Sequence, residues 1–262
     1  MNPQNDLKSY LELCQRLGIR YLSLAPSGTA APAPGATADR EPEAAPKERT
    51  VVKENLAAPS PAAPQWLTGS SDNIQAMELM AFHQDIHECQ NCPLVKSRKS
   101  FVFGSGNPQA EVMFVGEAPG ADEDEQGLPF VGRAGQLLTK IIESTKTWKR
   151  QDVFICNVLK CRPPGNRTPQ PEEVDQCLPY LVEQVRIIKP KLIMALGASA
   201  AQALLKTKDP VGKLRNKWHD YESIPLRVTY HPAALLRFEG YKKDVWEDMK
   251  EFAKRYQESP KG

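Results

Sequence analysis

Residue types able to do chemistry gather at four places along this 262-residue chain. The stretch GEAPGADEDEQGLPFVG, residues 116 to 132, joins a glycine-rich turn to Glu117, Asp122, Glu123, Asp124, Glu125 and Phe130. A glycine-rich turn after an apolar run usually cradles a phosphate with its bare N–H groups, yet this row of carboxylates would oppose an anion. Asn157 stands near the end of a second apolar run and offers one amide donor side and one acceptor. His231 precedes Pro232, which holds the chain extended and directs the imidazole away from a following helix. Cys89, Cys92, Cys161 and Cys177 pair two close thiols with two distant ones, a frame that fits either a four-cysteine zinc site or a [4Fe–4S] cluster. Cys14 and Cys156 fall outside that frame. Along a strand Cys156 and Asn157 face opposite ways.

The elements that position these residues can be read from the hydrophobic pattern. Four apolar runs of strand length, at 111–116, 153–159, 191–197 and 226–230, alternate with helical patterns at 134–144, 172–188 and 198–205, and a further helix at 241–256 closes the body. Strict alternation of strand and helix predicts a three-layer α/β/α architecture around a central four-stranded parallel sheet. Ligands in such sheets sit beyond the carboxyl ends of the strands. Here that edge collects Glu117, Asn157, Gly197 and His231.

The chain divides into three parts. Residues 1–21 contain a short amphipathic helical pattern ending at Gly18, suited to docking a protein partner. Residues 22–70 form a Pro/Ala-rich linker: eight prolines and twelve alanines between Leu22 and Gln65 leave too little apolar surface to offset ordering entropy. Residues 71–262 are the folded domain. No run has the length of a membrane span and no signal-peptide order is present, so the expected compartment is the cytoplasm, where cysteines serve as thiols or ligands. The net charge of +2 is too small for a globally basic nucleic-acid binder. Binding to DNA would rest on local patches, such as the eight Lys or Arg against one acid between Arg186 and Lys217.

GEAPGADEDEQGLPFVGRAG, NVLKCRPPGNRTP and HPAALLR, in that order and with the cysteine frame, resemble the family 4 uracil-DNA glycosylases, the iron–sulfur members of their superfamily. The resemblance runs from about Ile86 to the end of the final helix and leaves out the first seventy residues. It implies excision of uracil from double- or single-stranded DNA by a monomeric, monofunctional hydrolase that leaves an abasic site, and a structural [4Fe–4S] cluster on Cys89, Cys92, Cys161 and Cys177.

Carried over residue by residue, it implies Phe130 stacked on the extruded base, Asn157 reading the uracil edge, and Ala118 and Gly120 lining the pocket. It implies His231 facing the oxygen that gains charge as the base departs. Glu117 is the expected catalytic carboxylate and Glu123 the second choice, because Ala118 stands where a better-known branch has a water-activating aspartate. Leu235, favoured over Leu236, would wedge into the base stack, with Arg237 on the backbone. Apart from the resemblance, Gly197 and Ser199 open a helical pattern whose free N–H groups suit a phosphate. The acidic stretch then meets a base and a sugar, with phosphates handled elsewhere.

Two readings of other classes compete. A covalently trapping relative would need a histidine between Arg162 and Thr168, where this chain has none. A metal-bearing scaffold recruited through the N-terminal helix would lose its partner, not a catalytic activity, on deletion of residues 1–70.

Overall fold

The computed structural model of the protein describes residues 64–70 and 73–259. The helix expected within residues 1–21, and the linker up to residue 63, lie outside the described residues.

The four expected strands form and are parallel: β2 (Val112–Gly116), β3 (Phe154–Asn157), β4 (Leu192–Leu196) and β6 (Ile224–Thr229). Two short strands, β1 (Ser105–Gly106) and β5 (Trp218–Tyr221), extend the sheet at its edges as antiparallel partners of β3 and β6. The order is β1-β3-β2-β4-β6-β5. Every residue of β2, β3 and β4 is buried, as expected for parallel strands covered on both faces. Register brings Gly116 beside Asn157, Ala195 beside Val115 and Leu196 beside Thr229, so the carboxyl ends of all four parallel strands form one rim.

Helices α1 (Ile74–Ile86), α2 (Ala121–Gln126), α3 (Arg133–Ser144), α4 (Pro171–Ile188), α5 (Ala198–Leu205), α6 (Val211–Leu214), α7 (Pro232–Leu235) and α8 (Tyr241–Glu258) fill the connections. Helices α3 and α8 cover one face, where Val112, Phe114, Ile155 and Met194 meet Leu138, Ile142, Met249 and Phe252. Helix α5 packs on β2 and β4, and α1 packs on α4. Among the described residues no helix is long and apolar enough to cross a membrane.

Two expectations change here. The acidic run, left without a helical pattern in the sequence, is a helix, α2: Asp122, Glu123 and Asp124 occupy its first turn, where the helix dipole favours negative charge. Residues 64–70, assigned to the linker, pack on the body, with Trp66 and Leu67 buried and Leu67 bridged to Gly106. Trp66 lies 5.0 Å from the ring of Phe103.

Candidate active site

At the rim of the parallel strands a cavity of about 440 Å³ is lined by Glu117, Ala118, Gly120, Glu123, Phe130, Asn157, His231 and Arg237, eight of the residues singled out in the sequence. Pro163, Asn166 and Arg167, from the connection after β3, close another side. The volume lies in the range of small-ligand sites.

Asn157 is 2 % exposed, and its Oδ1 is fully buried without a hydrogen-bond partner. No group of the protein pairs this acceptor, and a buried acceptor is costly unless a donor from outside the chain meets it. The amide lies across Gly116 from the ring of Phe130. A Cβ on Gly116 would stand 2.4 Å from Asn157 Oδ1 and 2.5 Å from Phe130 Cζ, so only glycine lets both side chains close over the strand end.

Phe130 itself is held in an unusual backbone state, with φ of 53°. Left-handed geometry is costly for a bulky residue and persists only where neighbours impose it. They do so on both sides. Glu123 Oε1 accepts from the N–H groups of Val131 at 2.8 Å and Gly132 at 2.9 Å, while Oε2 accepts from Gly120 at 3.1 Å. Arg150 donates from Nη2 to the carbonyl of Pro129 at 2.8 Å and from Nη1 to Thr139 at 3.0 Å. Glu123, expected as an alternative general base, is thus engaged as a brace. The N–H of Gly120 is likewise spent on it. Arg150 gives no signal in the sequence: it sits in a basic surface stretch with no motif around it.

His231 caps α7, and its Nδ1 accepts from the N–H of Ala233 at 3.2 Å. An accepting Nδ1 places the ring proton on Nε2. Burial, helped by the charge of Arg237, lowers the pKa of His231 to about 4, so the ring is neutral near pH 7. Its ring centroid is 5.5 Å from that of Phe130. Gly197, at φ 91°, runs directly under it: an added Cβ would lie 3.0 Å from His231 Cβ.

Three expected DNA contacts are placed otherwise. Gly197 is buried beneath His231 rather than open to a phosphate. The hydroxyl of Ser199, at the start of α5, donates to Glu117 Oε2 and thereby orients that carboxylate. Leu235, the favoured wedge, is 2 % exposed and belongs to the core between α3 and α8, because the short helix α7 turns it inward. Leu236 is 43 % exposed, and Phe238, which lies just past the motif and is no part of it, is 60 % exposed. Arg237 lines the cavity as expected.

Residues 103–250 match the model of the uracil DNA glycosylase superfamily, and this segment contains every residue of the cavity. The chain belongs to that superfamily. Its type-4 branch supplies similar proteins. A type-4 uracil-DNA glycosylase of Pyrobaculum aerophilum is 46% identical over 67% of this chain and 93% of its own length. One from Thermotoga maritima is 44% identical over 62% of this chain and 84% of its own, and one from Archaeoglobus fulgidus 43% identical over 64% and 87%.

A second constellation lines a separate cleft of this uracil DNA glycosylase superfamily member. Cys89, Cys92, Cys161 and Cys177 line one small cleft together with Arg98 and Tyr180. Donors surround the sulfurs: Arg98 Nη1 lies 3.3 Å from Cys161 Sγ, the N–H of Lys160 3.3 Å from Cys177 Sγ, and Tyr180 Oη 3.2 Å from Cys89 Sγ. Burial pushes the Cys177 thiol up to about 12 and raises those of Cys161 and Cys92, so thiolates here require positive charge among them. Among the described residues no three His, Cys, Asp or Glu side chains are placed to hold a single metal ion. Cys156 is fully buried in β3 and takes no part in the cleft.

Proposed function

We propose that the protein is a monofunctional uracil-DNA glycosylase: it hydrolyses the N-glycosidic bond of uracil in DNA and leaves an abasic site for base excision repair. The orphaned Oδ1 of Asn157 carries this reading. In an extruded uracil the ring N3–H supplies the missing donor and the neighbouring O4 accepts from the amide N–H. Cytosine offers a lone pair at N3 and donors at its exocyclic nitrogen, which would leave the buried amide mismatched. Sites that reject a ligand by unpaired polar groups discriminate strongly.

The other side chains divide the chemistry. Phe130 stacks on the base that has left the duplex. As the bond between N1 and the sugar breaks, electrons move onto the uracil ring, and the Nε2–H of neutral His231 donates to the oxygen on which charge accumulates. Glu117, held by Ser199, faces the cationic sugar and orients the water that adds to its anomeric carbon. The water's oxygen joins the sugar and its proton is released. Among the described residues no lysine lines the cavity, so the lining supplies no amine for backbone cleavage.

The cysteine cleft is read as the seat of a [4Fe–4S] cluster: all four cysteines line one cleft, and N–H and O–H donors lie beside the sulfurs of Cys89, Cys161 and Cys177. Held by Cys89, Cys92, Cys161 and Cys177, the cluster would supply cross-linking and no redox step, pinning the segment before β1 to the connection after β3 and to α4. The substrate is uracil-containing DNA, double- or single-stranded, and the enzyme acts as a cytoplasmic monomer, with residues 1–21 available to a protein partner.

The test is release of free uracil from a U:G or single-stranded uracil oligonucleotide in EDTA. The reading expects uracil release, with strand breakage appearing only after alkali. Intact substrate would refute it.

A further inference from the structure

Lys160 stands inside the motif NVLKCRPPGNRTP, yet the proposed chemistry gives it no role, and it has 0 % exposure. It lies in the short connection between Asn157 and Cys161. Its Nζ donates to the carbonyl of Asn157 at 2.8 Å and to Oε1 of Gln184 at 2.6 Å, and its own N–H donates to Cys177 Sγ at 3.3 Å. Gln184 sits on α4, the helix of Cys177, and passes the chain of bonds on to the carbonyl of Phe103 at 2.8 Å. Burying an ammonium is expensive unless its hydrogen bonds are met, and a methionine would fill the same space without that cost.

The backbone shows what this cost secures. At the end of β3 the ladder continues through N–H groups, Val158 to Gly116 and Leu159 to Glu117, while the carbonyl of Asn157 turns to the lysine. Holding that carbonyl fixes the peptide plane after Asn157, and with it the direction in which the amide side chain leaves the strand.

We propose that Lys160 is a positioning residue for base recognition, clamping the main chain of Asn157 to the cysteine-bearing helix so that the aim of the amide depends on the seat of the cysteine site. The inference rests on the reading of the cavity as a uracil pocket.

The test uses the full chain with Lys160→Met, which keeps the stem and removes the donors. Five quantities are compared with the wild type: the visible absorbance of the purified protein, its Tm, inhibition by free uracil, kcat/KM for uracil excision, and affinity for DNA carrying a tetrahydrofuran abasic site and no base. The expected result is a retained visible band, uracil inhibition about tenfold weaker, a similar fall in kcat/KM for uracil excision, and unchanged abasic-DNA affinity. Unchanged uracil inhibition overturns the proposal. So does an equal loss of uracil inhibition and abasic-DNA affinity, which would mark general damage. Should K160M fail to fold, Gln184→Met decides: it leaves the ammonium one acceptor and should weaken uracil inhibition about threefold, whereas a wild-type value overturns the idea. A wild-type protein that neither excises uracil nor is inhibited by it would instead refute the glycosylase reading itself.

Discussion

His231 is the residue whose environment makes the sharpest demand on chemistry. An imidazole that accepts from Ala233 and is depressed to about 4 is neutral near pH 7, with its proton on Nε2 free to be donated. In the unfolded chain the same group titrates near its usual value of 6.5. Between those two values the unfolded state binds the extra proton, so this contribution to stability is complete above pH 6.5 and is lost as pH falls toward 4. His231→Gln should lower kcat by roughly 100- to 1,000-fold, the scale of one lost donor to a developing anion. It should also flatten the fall of Tm between pH 6.5 and 4, read by calorimetry across that range. A histidine that worked as a charged acid would instead give a rate rising as pH drops through 6.5.

Elements decide which of the expected residues reach the cavity. The strand ends were legible because four buried runs can only form a covered parallel sheet, and its carboxyl edge is fixed once strand direction is known. The short helices were not legible. Helix α2 turns Glu123 back onto the N–H groups around Phe130, and α7 turns Leu235 into the core; neither has the length for a periodic signal. Glu123→Ala should therefore lower kcat/KM through a loosened Phe130 while leaving the shape of the pH–rate profile unchanged; loss of the acidic limb would restore Glu123 as a base. Just past the HPAALLR motif the ring of Phe238 lies tilted, 5.8 Å from that of Tyr241, which stacks on Tyr230 at 4.0 Å, the residue next to His231. An exposed aromatic there suits the gap left in a duplex by an extruded base. Phe238→Ala should reduce excision from U:G duplex by about tenfold, one stacking contact, and spare single-stranded substrate. Equal losses on both substrates would contradict this.

At the scale of the molecule, the position of the domain boundary and the seat of the cysteines matter most. Composition alone runs the linker on to residue 70, since two apolar residues between prolines and polar residues carry no period. Yet Trp66 and Leu67 fill the body beside Phe103 and Gly106. A chain starting at residue 64 should keep wild-type Tm, while one starting at residue 71 should lose roughly 3–5 kcal/mol for the missing tryptophan alone. Equal denaturant midpoints for the two truncations would show that the segment contributes nothing. The cysteine frame, by contrast, was legible as a group, because close pairing of two thiols is visible in sequence, and the four side chains do line one cleft; the spacing that would choose between metals is three-dimensional and sequence does not contain it.

The central claim is that Glu117, Phe130, Asn157 and His231 surround one extruded pyrimidine, and a crystal structure with free uracil bound tests it most directly. The ring should lie against Phe130, with N3 about 2.9 Å from Asn157 Oδ1 and O2 facing Nε2 of His231. Uracil bound elsewhere, or seated in the cavity with Asn157 Oδ1 still unpaired, would contradict the account.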